Sequence, residues 1–566
     1  MIWFRAMLAT VFVLGPSAAG AQPCREQIHG GWTTSLPVDA LLRTQLMVTS
    51  PDVEQIVVER PSVRFAGKAS SDTSKLDGFV YFGQSAYRVT LSKAGNDSWS
   101  AMWGPLPTPD GSVPFDLYLG DDGEGGTGGY FFFRDQRMPS LYGSGAQCDG
   151  DSIAFSELNL GLTFTGKFNN ELTTLTTRAT GFGGTSTISW RRMSDERQAE
   201  PAGAPILPPR GPNLATFIDR APVATDDGWP TAKPSEKQVA IAPLDKMIKS
   251  IADGKLPLVH SVLVARAGKL IVEEYFYGFD RDAFHDMRSA SKSIASTLVG
   301  LAVERELIIG AHARALDFLD YESYGNWSES KARITLRHLM TMSSGLDAND
   351  ADNDSFASEN RYQWQSEQPD WIKYALDAPM IAEPGERVIY GSANPMILAG
   401  VLESATGGPV EWFADEALFK PLGIDNYRIF MRPGDAGAYL GGGMYLRPRD
   451  MLKIGQLYLD GGKWQGKQIL SEKWVKESFE KYGRLEPLDR NGNEYGYLWW
   501  HENYDVGDEV IASLEARGNG GQYIFVVPEL DIAAVITAGN YRGGLEMTRQ
   551  SQRIFAGYIL PALISD

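Results

Sequence analysis

The chain is poor in cysteine and has no clustered histidines, and both shortages narrow the chemistry it can perform. Its 566 residues include two cysteines, Cys24 and Cys148, and no Cys/His group has the spacing of a zinc site. The six histidines are scattered, and no two stand four residues apart, as a metal-binding pair on one helix face would. We therefore expect a protein that uses neither a metal ion nor another cofactor.

Long apolar runs are absent after residue 21, so the sequence predicts no membrane-spanning segment beyond that point. Residues 1–21 have a basic start at Arg5, an apolar core and a small-residue cleavage site at Ala19–Ala21, which is the pattern of a secretory signal peptide. These features predict an exported protein, periplasmic or secreted. In such a compartment Cys24 and Cys148 are expected to form a disulfide.

An excess of positive charge is missing as well. The chain has 53 Lys and Arg residues against 71 Asp and Glu residues, which gives a formal net charge of −18. Such a balance argues against nucleic acid and anionic membrane surfaces as partners, because both repel an acidic protein. The composition does not indicate an oligomeric state.

The texture of the first third of the chain differs from the rest. Residues 22–193 contain short alternating or aromatic runs separated by Gly, Asp, Asn and Pro clusters, which predicts an all-β sandwich or barrel domain. Its aromatic residues are expected to form core and cross-strand packing, and its role stays open. Residues 194–236 hold eight of the 31 prolines and are predicted to be an extended linker.

Residues 237–566 have an α+β pattern. A helical period over Ala240–Ala252 is followed by a hairpin signal around Ala267–Gly268, and strands return at Gln522–Val527 and Ile532–Thr537. Between them lies a largely helical middle, and the last segment predicts a closing helix. Early and late strands that bracket helices predict one antiparallel sheet built from both ends of the domain.

One short segment carries the strongest chemical signal. Ser289 opens an apolar run of helical length, and Lys292 follows it by three residues, so both side chains share one helix face. A lysine with little access to water can serve as the base that activates a nucleophilic serine. Two other Ser-x-x-Lys copies, at Ser328 and Ser478, lie in polar stretches and are interpreted as solvated surface.

Two further patterns bear on Ser289. Tyr390, Ser392 and Asn394 alternate just ahead of an apolar helix, a spacing that can present three polar groups to one pocket. The glycine-rich run Ala516–Gln522 precedes a strand and lets a backbone edge approach a ligand closely, as an oxyanion hole requires. Taken singly, the first pattern is better explained by a tyrosine that caps a core edge, and the second is consistent with an ordinary glycine-rich turn.

In this order, the three patterns resemble those of the serine β-lactamase and penicillin-binding-protein superfamily. The closer likeness is to the class C-related branch of esterases, D-amino-acid peptidases and 6-aminohexanoate-dimer hydrolases. The resemblance spans roughly residues 226–561 and implies a β-lactamase/transpeptidase-like fold, an antiparallel sheet flanked by helices with a helical subdomain. The supporting stretches are Ile334–Leu346, Gly442–Met451 and Trp464–Leu470.

The resemblance also implies roles for individual residues. Ser289 matches the acylated nucleophile, Lys292 the lysine that activates it, and Tyr390 the tyrosine that relays protons to the leaving group. The backbone amides of Ser289 and Asn519 match the donors of the oxyanion hole. The remaining residues of the two patterns are expected to contact substrate, namely Ser392, Asn394, Arg517, Gly518 and Gly520.

Two departures from the family pattern shape the expected substrate. Ser392 stands where lactamases usually have asparagine, and Ala516-Arg517-Gly518 replaces the usual Lys or His followed by Thr or Ser and Gly. A small ester, amide or peptide-like substrate is therefore favoured over a β-lactam. The alternatives are a β-lactamase or D-alanyl peptidase and, from another class, a non-catalytic envelope binding protein.

Overall fold

The structure is a computed structural model. It describes residues 216–276, 279–364, 370–433, 437–486, 494–540 and 548–564. Nearer the N-terminus it describes 26–28, 30–37, 45–49, 56–60, 63–69, 75–82, 85–95, 98–102, 112–121, 127–133, 138–140, 145–157, 162–181 and 184–193. The predicted signal peptide and Cys24 lie outside these ranges, so export and the disulfide stay predictions. No helix among the described residues is long and apolar enough to cross a bilayer.

The front region is all-β, as predicted. Eight antiparallel strands form a closed ring, because β9 pairs with β8 on one side and with β11 on the other. The ring is therefore a barrel, one of the two architectures expected. The ring consists of β1, β8, β9 and β11 to β15. The strands of the whole front region are β1 (Gly30–Pro37), β2 (Gln45–Thr49), β3 (Ile56–Arg60), β4 (Val63–Ala69), β5 (Lys75–Phe82), β6 (Ser85–Gly95), β7 (Ser98–Met102), β8 (Ser112–Asp121), β9 (Thr127–Phe133), β10 (Met138–Ser140), β11 (Gly145–Asp149), β12 (Ser152–Glu157), β13 (Leu162–Phe168), β14 (Thr174–Gly181) and β15 (Gly184–Arg192).

Aromatic side chains fill the core of this front region. Phe164 stacks on Phe155 with ring centroids 4.8 Å apart and meets the edge of Trp190 at 5.5 Å. The Trp190 indole donates a hydrogen bond to Thr177 Oγ1 at 2.9 Å, which satisfies the one polar atom that the ring buries. The prediction that these aromatics are packing residues is confirmed.

Residues 237–566 are built on a sheet of strand order β17-β16-β29-β28-β27-β26-β25-β24-β19, antiparallel except for β19 with β24. The early strand β16 pairs with the late strand β29, so the predicted sheet from both ends of the region is confirmed. The strands of this region, including those outside the sheet, are β16 (Val259–Arg266), β17 (Lys269–Tyr275), β18 (His285–Asp286), β19 (Val388–Ile389), β20 (Arg428–Phe430), β21 (Met444–Leu446), β22 (Lys463–Trp464), β23 (Lys467–Gln468), β24 (Gly483–Glu486), β25 (Glu494–Tyr495), β26 (Trp500–Val506), β27 (Glu509–Gly518), β28 (Gln522–Val527) and β29 (Ile532–Ala538).

Helices cover both faces of this sheet. The first helix buries Leu244, Met247, Ile248 and Ile251, one apolar stripe at helical spacing, against one face. The other face meets the buried helix that follows Ser289 and the rest of the helical middle. The α-helices are α1 (Ile241–Ala252), α2 (Lys292–Glu304), α3 (Glu329–Ala332), α4 (Leu336–Met340), α5 (Glu359–Trp364), α6 (Trp371–Leu376), α7 (Ala393–Thr406), α8 (Val410–Ala414), α9 (Pro448–Leu459), α10 (Glu472–Ser478), α11 (Gln550–Ile554) and α12 (Leu560–Ile564).

The described end of the proline-rich segment, 216–236, packs on the region of residues 237–566. The Trp229 indole donates to the Arg449 carbonyl at 3.2 Å, and the Arg449 guanidinium forms ion pairs with Asp227 at 2.9 Å and Glu273 at 2.6 Å. Arg449 is buried, so these ion pairs hold the segment at a fixed place. This part of the predicted linker therefore belongs structurally to the region that follows it.

Candidate active site

Ser289 lies in a 3-10 turn, Arg288–Ser291, that leads directly into α2. The Lys292 ammonium donates a hydrogen bond to Ser289 Oγ at 2.9 Å. Ser289 is half-buried, whereas Lys292 is buried with 1% of its surface exposed. The serine is therefore partly accessible to solvent, while the lysine behind it is shielded from water.

Burial also changes the chemistry of Lys292. Loss of hydration disfavours the charged ammonium and lowers its pKa below the usual value. The negative charges of Glu359 and Asp350 oppose this shift, and the Gly441 carbonyl accepts a second hydrogen bond from the ammonium. A lysine in this setting loses its proton more readily than one in water and can accept the proton of Ser289.

Tyr390 completes the group. Its phenol is hydrogen-bonded to the Ser289 side chain, and its ring centroid lies 5.0 Å from Lys292 Nζ. Burial raises the pKa of the Tyr390 phenol above its usual value, which keeps the phenol protonated at neutral pH. The structure thus brings Ser289, Lys292 and Tyr390 into mutual contact, and the phenol can pass a proton in either direction.

The turn that carries Ser289 has a strained backbone, and the Asp286 side chain holds it in place. Arg288 has a φ of +50°, a conformation that non-glycine residues rarely adopt. Asp286 accepts the Arg288 N–H at 2.9 Å and forms an ion pair with the Arg288 side chain at 2.9 Å. Burial raises the pKa of the Asp286 carboxyl to about 7. Sequence reasoning missed this residue.

The third pattern lies against the same turn. A Cβ on Gly518, at the end of β27, would stand 2.1 Å from the Met287 carbonyl oxygen and 3.2 Å from the Ala290 nitrogen. Only glycine therefore lets this strand end approach the turn so closely. Asn519 follows at once and is exposed, so the strand end brings the predicted second oxyanion residue beside the nucleophile turn.

Two carboxylates missed by the sequence patterns stand beside Lys292. Asp350 accepts hydrogen bonds from the Ser392 N–H at 2.7 Å and the Ser392 hydroxyl at 2.6 Å. Glu359 donates its N–H to Asp350 at 2.8 Å and accepts the Tyr439 phenol at 2.6 Å. Burial, followed by the Glu359 charge, raises the pKa of Asp350 to about 6. Both side chains are half-buried, and their acidic surroundings in sequence gave no spacing signal.

The residues predicted to contact substrate are largely engaged elsewhere. Ser392 is buried on Asp350, and the buried Asn394 amide donates to the Gly391 carbonyl at 3.2 Å. The Arg517 guanidinium forms ion pairs with Glu515 at 2.7 Å and Glu502 at 2.9 Å. Gly520, with φ +84°, accepts the N–H of Asn540 at 2.9 Å. These contacts hold the side chains in place around the Ser289 turn, and Arg517 already has its charge balanced by two carboxylates.

The two other Ser-x-x-Lys copies are structural. The Ser328 hydroxyl caps α3 by accepting the Lys331 N–H at 3.2 Å, and the Ser478 hydroxyl donates to the Trp474 carbonyl at 2.7 Å. In both copies, which lie within the described residues, the lysine ammonium bonds to other groups and not to its serine: Lys331 to three carbonyls and Lys481 to Glu494. The prediction of solvated surface was wrong for Lys331 and Ser478, which are both fully buried, and fits the exposed Lys481.

Metal chemistry has no cluster of ligands to use in the described part of the chain. Within those ranges no group of three or more His, Cys, Asp or Glu side chains is arranged to hold a metal ion.

The Beta-lactamase family model matches residues 245–554, more than half of the chain. The chain belongs to the Beta-lactamase family. It is therefore a serine hydrolase of the β-lactamase and penicillin-binding-protein superfamily, and the matched range contains the turn of Ser289, the following helix and all of the sheet from β16 to β29.

A 6-aminohexanoate-dimer hydrolase from Paenarthrobacter ureafaciens is 23% identical over 284 residues, which cover 48% of this chain and 70% of that protein. Among solved structures, a candidate 6-aminohexanoate-dimer hydrolase from Bacillus anthracis has a TM-score of 0.47 at 17% identity and covers 63% of this chain and 91% of that one. A candidate beta-lactamase from Bacteroides dorei has a TM-score of 0.48 at 19% identity, with coverages of 57% and 99%. At these scores the family assignment rests on the sequence match.

Proposed function

We propose that this chain hydrolyses a small ester or amide through an acyl-enzyme on Ser289. The observation that carries the proposal is the 2.9 Å hydrogen bond between the buried Lys292 ammonium and Ser289 Oγ. A buried lysine placed this close is a base suited to the serine proton, and Tyr390 bonds to the same hydroxyl. Such an arrangement would be needless in a non-catalytic binding protein.

In the proposed reaction, neutral Lys292 takes the Ser289 proton as Oγ attacks the substrate carbonyl. The resulting oxyanion is held by the N–H groups of Ser289 and Asn519, and the carbonyl reforms as the bond to the leaving group breaks. The proton passes from Lys292 through the Tyr390 phenol to the departing oxygen or nitrogen. A water molecule then attacks the acyl group, gives up a proton along the same route, and restores Ser289 with release of the acid.

The proposed substrate is an ester or amide and not chiefly a β-lactam. The family lysine of the third pattern is replaced by Arg517, whose guanidinium is already paired with Glu515 and Glu502. A substrate carboxylate would therefore compete with two carboxylates of the protein for this cation. The relative named as a 6-aminohexanoate-dimer hydrolase makes a small amide a sensible member of the first substrate panel.

The test is labelling with a fluorophosphonate probe together with turnover of a chromogenic short-chain ester. We expect the wild type to be labelled and active, Ser289→Ala to be unlabelled and inactive, and the matched controls Ser328→Ala and Ser478→Ala to behave as the wild type. Full labelling of Ser289→Ala would contradict the proposal. Faster turnover of nitrocefin or a D-alanyl peptide than of the ester would replace the substrate class by that of a lactamase or peptidase.

We also propose that the protein is exported, with cleavage after Ala21. The support is the sequence pattern of residues 1–21. Mass spectrometry of the protein recovered from the envelope or medium of an expressing bacterium should show a chain that begins at Gln22. A full-length chain that stays in the cytoplasm would contradict export.

A further inference from the structure

We propose that the front β region is part of the active-site support, with Tyr87 and Arg88 on β6 as positioning residues for the Ser289 turn. The inference rests on the proposed function for its catalytic readout. It concerns a region, 26–193, that the family model does not cover. The route runs from β6 through three short strands to the nucleophile turn.

One sheet crosses from the front region into the active site. Strand β6 pairs with β20, β20 pairs with β21, and β21 pairs with β18, all antiparallel. Strand β10, which pairs with β9 of the barrel, also adjoins β18. The three catalytic strands are only two or three residues long, so alone they would be a marginal sheet.

These short strands and the residues beside them hold the Ser289 turn and Lys292 in place. The strand β18 ends at Asp286, and the next N–H, that of Met287, donates to the Met444 carbonyl of β21 at 2.9 Å. The Gly441 carbonyl, three residues before β21, accepts the Lys292 ammonium. A shift of β21 would therefore move the Ser289 turn and the Lys292 acceptor together.

A column of side chains follows the same path. Tyr87 lies directly opposite Arg428 across the β6–β20 pair, with the guanidinium 5.7 Å from the Tyr87 ring centroid. The same guanidinium lies 3.6 Å from the ring centroid of Tyr445, and Tyr445 hydrogen-bonds to Asp286. Asp286 in turn holds the strained Arg288. Tyr87 thus stands at the far end of the contacts that fix the turn.

The junction is sealed by a buried ion cluster. Arg88 is 4% exposed, and its guanidinium bonds to Asp415 at 2.8 Å and to Asp77 at 2.9 Å. The backbone N–H of Arg88 donates to the Tyr427 carbonyl at 3.0 Å, and the Tyr427 phenol donates to Asp415 at 2.8 Å. Removing Arg88 would leave the Asp415 carboxylate buried beside β20 with only Lys420 as a cation.

The cluster has an apolar border that explains why the two regions stay docked. Tyr81 donates to Glu411 at 2.8 Å and accepts the Trp412 indole N–H at 3.2 Å. Phe79 meets the same Trp412 ring edge-on at 5.1 Å. Without the front region, the edge of β20 and this aromatic surface would face water, so the catalytic region is not built to stand alone.

The experiment compares full-length Arg88→Met with the wild type and with Phe155→Leu, a control among the aromatic rings of the barrel core. The rate constant for fluorophosphonate inactivation is measured per titrated active site, well below the melting temperature. We expect Arg88→Met to lower it about tenfold or more, since small displacements of a nucleophile cost large factors in rate. The double variant Arg88→Met/Asp415→Asn should recover part of the loss, because it removes the unpaired carboxylate.

Hydrogen exchange supplies a readout that does not depend on activity. We expect Arg88→Met, and not Phe155→Leu, to speed exchange in peptides containing Met287 and 441–446. Equal inactivation rates with unchanged exchange would overturn the inference, as would an equal loss in Phe155→Leu. If the wild type failed to react with the probe, the proposed function would fall, while the exchange result would still decide the positioning role.

Discussion

Two segments of this chain share the Ser-x-x-Lys spacing and bury the lysine, yet they have opposite roles. At Ser289 the lysine ammonium reaches the hydroxyl and one carbonyl, with carboxylates beyond. At Ser328 the hydroxyl is used as a helix cap, and the Lys331 ammonium donates to the carbonyls of Gly325, Leu376 and Ala378 at 2.8, 2.6 and 2.8 Å.

The difference lies in where each serine stands relative to its helix. Ser328 has extended backbone angles at the N-cap, so its oxygen faces the first N–H groups of α3. Ser289 lies inside the 3-10 segment ahead of α2, and its hydroxyl accepts a hydrogen bond from the Lys292 ammonium. The Lys292 ammonium thus donates to a reactive hydroxyl and one carbonyl, whereas the Lys331 ammonium donates to three backbone carbonyls.

The largest expected contrast comes from removing each lysine. Lys292→Met should lower ester turnover by about 10²–10⁴, the usual worth of a positioned base, with little change in melting temperature. Lys331→Met should leave turnover per folded molecule unchanged but destabilise the fold by about 3 kcal/mol or more, because three buried carbonyls lose their donor. Active-site titration and thermal unfolding measure the two effects, and equal patterns in the two variants would break the comparison.

The next contrast concerns the position of the Ser289 turn. Gly518→Ala should lower turnover by about 10², because the new methyl group would push the turn away from the oxyanion edge. Gly557→Ala is the matched control, since a Cβ there meets no atom within 4 Å. Kinetics on the same ester compare them, and wild-type activity in Gly518→Ala would show that this close approach is not needed.

A smaller effect concerns the pH at which each lysine loses its proton. Asp350→Asn removes a negative charge that holds the Lys292 pKa up, so that pKa falls further and the acid limb of kcat/KM moves to lower pH. The same change at Asp377, whose charge raises the pKa of Lys331, should leave the profile in place. A limb that moves to higher pH in Asp350→Asn would exclude neutral Lys292 as the base.

The smallest effect is expected at the capping serine. Ser328→Ala should cost about 1 kcal/mol of unfolding free energy, the usual value of an N-cap, and leave turnover unchanged. Chemical denaturation and ester kinetics measure both quantities. Any loss of turnover beyond the error of the assay would show that the second segment is not purely structural.

Local patterns predicted the parts of the molecule that depend on neighbours in sequence. The Ser289–Lys292 pair, the hairpin of β16 and β17, and the late strands β28 and β29 all follow from spacing and periodicity. The Tyr390 pattern stands next to a strongly apolar helix, but only the resemblance to a family assigns that tyrosine its role. The resemblance to a family then joined these separate segments into one site.

Other features depend on contacts between distant segments and left no local signal. Asp350 and Glu359 come to Lys292 only through the fold of the helical middle, and Asp286 gains its role from Tyr445. Lys331 looked solvated because its sequence neighbours are polar, while its acceptors lie up to 47 positions away. The pairing of β6 with β20 joins two regions that the proline-rich segment separates in sequence.

The place of β29 has a consequence for how the protein is made. This strand lies inside the sheet, between β16 and β28, and pairs Val535 with Leu263. A ribosome or a translocation channel releases β16 long before β29, so the nascent hairpin keeps an apolar open edge until the last strand arrives. Folding of the catalytic region is therefore expected to be post-translational and slow. We expect chaperones to protect the open edge of β16 until residues 532–538 are free to insert.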